Sequence, residues 1–203
     1  MKIVIIDYGL GNLRSIEKAL QYVGAEVDIS NDPSSIDRAD ALILPGVGAF
    51  RDAMMHFSTL KRVVKDAVND GKPLLGICLG MQMLASESEE GGMHRGIDII
   101  PGRVIRFPAS ELKVPHMGWN SLIIRKDIPL LKNVQDGSFV YFVHSYYVST
   151  DDKNEVALCD YGLEFPAVIT NEAGNVLGTQ FHPEKSGATG LRMLRNFVES
   201  YGP

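Results

Sequence analysis

Two kinds of hydrophobic pattern divide the chain. In the first ninety residues, short continuous apolar runs alternate with stretches whose apolar residues recur every three or four positions. The runs are typical of strands buried on both faces, and the spaced stretches are typical of amphipathic helices. The predicted strands are 2–7, 25–30, 41–44 and 73–77, and the predicted helices are 15–23, 51–69 and 79–88. Strands that alternate with helices predict a parallel sheet covered on both faces.

The second half of the chain consists of strand-like segments separated by polar turns. The predicted strands are 103–107, 121–125, 138–148, 155–161, 167–170 and 175–181, and a last helix covers about 190–200. Short polar turns suit antiparallel neighbours. The predicted fold class is therefore α/β, with a mostly parallel central sheet flanked by helices and an added antiparallel region in the C-terminal half. No repeat, linker or low-complexity segment interrupts the 203 residues, so we expect a single domain over 1–203.

Composition narrows the class of protein. The net charge is −5, from 20 basic and 25 acidic residues without a basic stripe, which disfavours nucleic-acid binding. The two cysteines have no CxxC partner, which disfavours a zinc site. No apolar run approaches the ~20 residues of a membrane span, and the first residues lack a signal-peptide pattern. We expect a reduced, cytoplasmic protein.

A cysteine flanked by glycines follows the fourth predicted strand, in the stretch LLGICLGMQ at 74–82. Gly76-Ile77-Cys78-Leu79-Gly80 has the form of a G-x-S-x-G nucleophile elbow with cysteine in place of serine. Glycines two positions away let the backbone turn sharply and expose the sulfur, and the start of a helix favours a thiolate. The other interpretation is a small buried side chain in a glycine-rich turn, and the motif alone leaves it open.

A thiol nucleophile needs a base and a group that orients the base. His182 ends a predicted strand, and residues two apart in extended chain point the same way. Glu184 can therefore accept from one ring nitrogen while the other nitrogen faces the thiol. A chance meeting of the two residues at a loop is the alternative. His56 and His94 have no suitable neighbour.

The PGVG loop at 45–48 follows the third predicted strand. Gly46 and Gly48 permit an unusual backbone, so the loop can present an N–H to an oxyanion or turn it away. An ordinary strand-to-loop turn is the alternative interpretation.

These motifs together resemble those of a known family. Gly-Ile-Cys-Leu-Gly-Met-Gln at 76–82 and His-Pro-Glu at 182–184 resemble the class I (triad) glutamine amidotransferases over nearly the whole chain. Within that class, Asp-Tyr-Gly-Leu-Gly-Asn at 7–12 and Pro-His-Met-Gly-Trp-Asn at 115–120 are similar to the glutaminase subunits of imidazole glycerol phosphate synthases.

The resemblance implies a role for each matching position. It implies that Cys78 attacks the side-chain amide of glutamine, that His182 is the base and then the acid, and that Glu184 orients His182. It implies an oxyanion hole made by main-chain groups at Val47 and Leu79. The implied substrate-binding positions are Gly46, Gly48, Gln82, His144, Ser145 and Tyr146.

The resemblance also implies partners. It implies no cofactor and no metal, and a heterodimer with a (β/α)8-barrel cyclase subunit. That subunit would use the ammonia to form imidazole glycerol phosphate and aminoimidazole carboxamide ribotide in histidine biosynthesis. The implied interface positions are Asn12, Trp119 and Tyr141, while His116 and His144 are assigned to structure or interface. A bound partner would bias the 45–48 loop.

Three alternatives stay open at this point. One is another class I amidotransferase subunit, such as that of anthranilate or aminodeoxychorismate synthase. Another is a cysteine hydrolase that acts on γ-glutamyl compounds. The last is a catalytically idle regulatory protein of the same fold, against which the presence of Cys78, His182 and Glu184 argues.

Overall fold

The computed structural model describes residues 1–108 and 113–202. The strands are β1 Lys2–Ile6, β2 Glu26–Ser30, β3 Ala41–Leu44, β4 Leu74–Ile77, β5 Glu87–Ser88, β6 His94–Arg95, β7 Gly102–Arg106, β8 His116–Ser121, β9 Ile123–Ile124, β10 Phe139–His144, β11 Tyr146–Thr150, β12 Glu155–Asp160, β13 Glu164–Thr170 and β14 Val176–Thr179. The α-helices are α1 Leu13–Tyr22, α2 Pro33–Arg38, α3 Phe50–Phe57, α4 Lys61–Asn69, α5 Leu79–Met83 and α6 Gly187–Ser200, and 3-10 turns cover Pro129–Leu131 and Pro183–Lys185. None of these helices has the length and apolar character needed to cross a membrane.

An eight-stranded sheet forms the centre, in the order β2-β1-β3-β4-β14-β13-β12-β9. The five strands from β2 to β14 are parallel, and the pairs from β14 to β9 are antiparallel. Two small sheets, β10-β8 and β11-β7-β5-β6, lie outside it. This arrangement confirms the predicted fold class, including the antiparallel addition in the C-terminal half.

The hydrophobic core lies in two layers, because the buried strands send alternate side chains to opposite faces of the sheet. One layer contains α1 and α6 with a group of phenylalanines from the second half, and the other contains α2 to α5. In β1, Ile3 and Ile5 belong to the first layer, and Val4 and Ile6 belong to the second. Burial on both faces explains why the strand reads as a continuous apolar run.

The predicted helix over 51–69 is wrong as a single element, since α3 ends at Phe57 and α4 begins at Lys61. The hydroxyl of Ser58 donates to the Met55 carbonyl (2.7 Å). A continuing helix would need that carbonyl as the acceptor for a backbone N–H of its next turn. The apolar spacing runs across the break without interruption, so periodicity alone does not reveal it.

The predicted helix over 79–88 is also wrong in its length, because α5 ends at Met83. The N–H groups of Ile97 and Ile99 donate to the carbonyls of Met83 and Leu84 (2.8 and 3.0 Å). A distant loop therefore takes the acceptors that the next helical turn would use, and Glu87–Ser88 pairs as a strand instead.

Three further elements differ from the prediction. Helix α2 was not predicted, although Asp32 accepts from the Ser34 N–H as a cap and Pro33 starts the helix. Strand β8 was not predicted either. The predicted strand over 138–148 is two strands, which separate at Ser145 and join different sheets.

Candidate active site

Cys78 lies at the turn between β4 and α5 in a strained backbone conformation, with φ +55° and ψ −111°. Only glycine adopts a positive φ without strain, so neighbouring contacts must hold this turn in place. The Cys78 N–H donates to the Thr179 carbonyl (2.7 Å). A Cβ added to Gly80 would lie 1.9 Å from the Leu44 carbonyl oxygen, so only glycine fits the closing side of the turn. The strained nucleophile geometry that the elbow motif predicts is present.

His182 comes from the other half of the chain, directly after β14. Its N–H donates to the Tyr141 carbonyl (3.0 Å), and its Nδ1 lies 2.8 Å from Oε1 of Glu184. Both side chains are buried. Among the described residues, Nε2 has no partner with regular hydrogen-bond geometry, so its contact with the Cys78 thiol is looser. The structure thus brings the predicted nucleophile, base and orienting carboxylate together.

The charge state of His182 depends on its partners. Burial lowers the pKa of the ring, but the hydrogen-bonding and charge interactions with Cys78 and Glu184 outweigh it and raise the pKa to about 9. An imidazole with that pKa holds a proton at neutral pH. A proton that the Cys78 thiol gives to the ring therefore stays there until a leaving group takes it.

A cavity of about 410 Å³ opens beside these groups. Most of the predicted site residues line it, namely Val47, Gly48, Cys78, Leu79, Gln82, His144, Ser145, Tyr146 and His182. Three further lining residues, Glu90, Pro115 and Val143, have no role predicted from the sequence. Gly46 does not line the cavity but lies against its wall, since a Cβ there would be 2.7 Å from the Gly80 nitrogen. The volume suits a small metabolite such as an amino acid.

The 45–48 loop is held at both ends and open in the middle. The Tyr8 hydroxyl donates to the Pro45 carbonyl (2.7 Å), and Glu90 accepts from the Phe50 N–H (2.8 Å). Val47 is 41% exposed, and Gly48 has φ +97° with nothing within 4 Å of an added Cβ. The main chain between Val47 and Gly48 is therefore the part of the loop with room to turn.

Gln82 lines the cavity, and the fully buried Gln180 contacts both Gln82 and Cys78. Nε2 of Gln82 donates to the Tyr146 carbonyl (2.9 Å) and to Oε1 of Gln180 (3.1 Å). Nε2 of Gln180 in turn donates to the sulfur of Cys78 (3.8 Å). Because both N–H groups of Gln82 are occupied, its oxygen remains for a ligand.

The predicted interface residues lie outside the cavity. Trp119 is 55% exposed, and its ring meets that of Tyr141 edge to face at a centroid distance of 6.1 Å. Asn12 is half-buried ahead of α1, a helix that contacts the turn after His182. The structure places His116 away from the cavity lining, buried against His144.

Sequence analysis missed Tyr8, Glu90 and Gln180. Tyr8 lies inside the motif at 7–12 and Gln180 lies two positions before His182, but nothing in their spacing shows which atoms they contact. Glu90 sits in an acidic stretch beyond the elbow, 40 positions from its partner Phe50 along the chain. Only the fold gives these three side chains their neighbours.

Known proteins resemble the chain in sequence. The family model for glutamine amidotransferase class-I matches residues 4–200. The chain is 62% identical over 198 residues to the imidazole glycerol phosphate synthase subunit HisH of Methanosarcina acetivorans, with 98% of each chain covered. It is 57% identical over 203 residues to the subunit of the same name from Halobacterium salinarum, with 97% of this chain and 92% of that one covered.

Solved structures also resemble the chain. The structure of PurLQS from Thermotoga maritima has a TM-score of 0.74 at 20% identity, and the match covers 98% of this chain and 97% of that one. The crystal structure of a glutamine amidotransferase from Thermotoga maritima has a TM-score of 0.67 at 19% identity, and the match covers 99% of this chain and 82% of that one. At such identity the likeness shows the fold alone.

Proposed function

The chain belongs to the class-I glutamine amidotransferase family and, within it, to the imidazole glycerol phosphate synthase subunits of the HisH type, and from this premise we propose that it hydrolyses glutamine to glutamate and ammonia. The observation that carries the proposal is that Cys78 and His182 line one cavity and that Glu184 holds Nδ1 of His182. A primary amide is a poor electrophile, and a cysteine nucleophile divides its hydrolysis into two easier steps.

In the first step, His182 takes the proton of the Cys78 thiol, and the sulfur attacks the side-chain carbonyl carbon of glutamine while the charged ring keeps that proton. The tetrahedral oxyanion accepts from the N–H of Leu79, which as the first residue of α5 has no acceptor within its helix. A second donor comes from the turning main chain at Val47. The C–N bond then breaks, His182 gives its proton to the departing nitrogen, and a γ-glutamyl thioester and ammonia result.

In the second step, water attacks the thioester and His182 takes its proton. The C–S bond breaks, the sulfur of Cys78 recovers a proton, and glutamate leaves. Glu184 acts throughout by holding Nδ1, so that Nε2 stays turned to the reacting atoms. Since the ring keeps its proton near neutral pH, departure of ammonia is assisted by a charged acid.

Recognition of glutamine as an amino acid needs groups for its ammonium and its carboxylate. The Gln82 oxygen and the Glu90 carboxylate both face the cavity and can accept from the ammonium. Main-chain groups of Ser145 and Tyr146 line the same cavity and are suited to the remaining polar atoms. This assignment gives Glu90 a role in binding as well as in holding the end of the 45–48 loop.

We propose that the ammonia passes to a cyclase subunit of (β/α)8-barrel fold, as part of a heterodimer in histidine biosynthesis. Free ammonia would be protonated and lost in water, so its release requires a covered route. Met117, Trp119 and Phe139 expose 62%, 55% and 59% of their surface on the outer face of the β8–β10 pair. Val143 of β10 lines the cavity, so this apolar face continues to the site. A partner docked there would cover the mouth.

The direct test is a glutaminase assay of the purified chain, alone and together with the cyclase partner and the ribulosyl ligand of that partner. We expect glutamate release that increases when both are added, and modification of Cys78 by a glutamine analogue with a reactive diazoketone. If Cys78 is not labelled even in the presence of the partner, the proposed glutaminase activity is wrong.

Replacement of the nucleophile separates the two halves of the proposal. Cys78→Ala should abolish synthesis from glutamine by the complex, because no thioester can form. Synthesis from added ammonium salts should persist, because the cyclase needs only ammonia. Equal loss of both activities would mean that Cys78 is a structural residue.

A further inference from the structure

Two buried histidines outside the triad face each other across the β8–β10 pair. His116 and His144 are register partners, and Nδ1 of His116 lies 3.0 Å from Nε2 of His144. Nδ1 of His144 lies 2.8 Å from the Tyr146 carbonyl oxygen. At the other end, the Asn120 amide nitrogen lies 3.4 Å from Nε2 of His116. The mechanism proposed above uses neither imidazole ring.

The partners at the two ends fix where the protons lie. A carbonyl oxygen can only accept, so Nδ1 of His144 carries hydrogen. Burial lowers the pKa of His144 to about 3 and that of His116 to about 4, so both rings are neutral at pH 7. Nε2 of His144 is then an acceptor, and Nδ1–H of His116 donates to it. Nε2 of His116 in turn accepts from Asn120.

The amide of Asn120 is oriented by its own contacts. Its oxygen accepts from the Ser121 N–H (2.8 Å), and its nitrogen donates to the Asp160 carbonyl (2.9 Å). The hydrogen bonds therefore run in one direction, from Asn120 through both rings to the Tyr146 carbonyl. Each ring is held in its Nδ1–H tautomer by the next member.

The last acceptor of this chain of hydrogen bonds belongs to the glutamine cavity. The Tyr146 carbonyl accepts from His144 and also from Nε2 of Gln82 (2.9 Å). If Nδ1 of His144 lost its hydrogen, a lone pair would face that carbonyl and repel it. Displacement of the carbonyl would remove one of the two acceptors that hold the Gln82 amide with its oxygen toward the cavity.

We propose that His116 is a positioning residue for glutamine binding. Through His144 it fixes the Tyr146 carbonyl, and that carbonyl orients the Gln82 amide. The inference rests on the proposed glutaminase function, which it deepens by naming what sets the geometry of the substrate site. Its expected signature is a change in the KM for glutamine at nearly constant kcat, because the triad itself is untouched.

A matched pair of amide variants tests the donor at Nδ1 of His116. Asparagine places an amide nitrogen where Nδ1 lies, and glutamine places it near Nε2. We expect His116→Gln to raise KM about tenfold, the loss of one buried hydrogen bond, and His116→Asn to retain most of the wild-type affinity. The assay uses the full chain with its cyclase partner.

If the ring has a purely structural role, His116→Asn should impair the protein more than His116→Gln. His116 stacks on Tyr161 at a centroid distance of 4.0 Å, so the smaller Asn leaves the larger cavity and should be the more damaging change. Equal KM values for the two variants, or a fall in kcat at unchanged KM, would overturn the proposal. Inactivity of the wild-type complex would instead count against the proposed function.

Nitrogen NMR of the wild-type chain tests the same inference without any substitution. Coupling patterns of ring nitrogens distinguish the Nδ1–H tautomer from the Nε2–H tautomer. We expect Nδ1–H for both His116 and His144. An Nε2–H tautomer at either ring would reject the directed chain of hydrogen bonds, whether or not the variants fold.

Discussion

The molecule buries imidazole rings in two neighbouring regions, and these regions give them opposite properties. His182 is 2% exposed, His116 3% and His144 6%, so burial is nearly the same. The pKa of His182 is raised to about 9, whereas burial lowers the pKa of the other two to about 4 and about 3. His182 hydrogen-bonds to a carboxylate and a thiol. The pair hydrogen-bonds only to neutral groups, and the charge of His182 lowers the pKa of His144 further. The charge of a buried ring therefore follows its hydrogen-bond partner rather than its depth.

The difference divides the work of the site. In the triad the proton must move, and a carboxylate beside the ring stabilises the charged state that the motion creates. In the pair the protons must stay, and neutral partners fix the tautomers. Under the proposed function, one region carries a proton and the other fixes the geometry of the substrate site.

The largest expected effect comes from giving His182 a neutral hydrogen-bond partner in place of the carboxylate, as the His116–His144 pair already has. Glu184→Gln replaces the carboxylate with a neutral amide of the same shape, so the pKa of His182 should fall from about 9. The amide can also donate to Nδ1 and select the wrong tautomer. We expect kcat/KM for glutamine to fall about 10³–10⁴-fold, measured in the complex with the cyclase.

Two measurements accompany this variant. Synthesis from ammonium salts should be unchanged, which serves as the control for folding and partner binding. NMR titration should show that His182 now titrates well below pH 9. A ring whose pKa stays near 9 in Glu184→Gln would contradict the role given to the carboxylate.

A smaller effect should appear in the dependence of stability on pH, with opposite signs for the two regions. The pKa of His116 is about 4 in the folded chain against 6.5 in the unfolded chain, so its contribution to stability is present above pH 6.5 and is lost as pH falls toward 4. The pKa of His182 is raised, so its contribution is present below pH 6.5 and is lost as pH rises toward 9. Each slope reaches about 1.4 kcal/mol per pH unit.

Chemical denaturation between pH 4 and 9 measures both slopes. His116→Asn should reduce the slope on the acid side, where the contribution of His144 remains, and leave the alkaline side as in the wild type. His182→Asn should flatten the alkaline side and leave the acid side unchanged. The same change on both sides in either variant would show that the two regions are coupled rather than independent.

The smallest effect concerns Cys159, the cysteine that lies outside the candidate active site. Cys159 is fully buried, and burial, followed by the charge of Asp160, raises its pKa to about 12. Cys159→Ala should cost about 1–2 kcal/mol of stability, by analogy with small core truncations, and leave glutaminase activity within about twofold of the wild type. Iodoacetamide should modify Cys78 long before Cys159 in the folded chain. Faster modification of Cys159, followed by mass spectrometry, would contradict this order.

The elements that could be predicted from sequence are those in which local pattern and tertiary environment agree. The buried strands β1, β3 and β4 appear as apolar runs because both faces of the sheet are covered. The end of helix α5 and the presence of strand β8 could not be predicted in the same way. Helix α5 ends where a distant loop takes its carbonyls, and β8 exists because β10 pairs with it.

In the candidate active site, too, some residues carry local sequence signals and others are brought in only by long-range contacts. The elbow around Cys78 and the His-Pro-Glu stretch are short-range signals, since their glycines and their two-residue spacing act within a few positions. The sequence by itself therefore determined the fold class and pointed to Cys78, His182 and Glu184 as the proposed nucleophile, base and orienting carboxylate. Only the tertiary structure decided that Glu90 lines the cavity and that Gln82 presents its oxygen. It also decided that His116 contacts His144, because these contacts join residues far apart in the chain and no local pattern encodes which atoms meet.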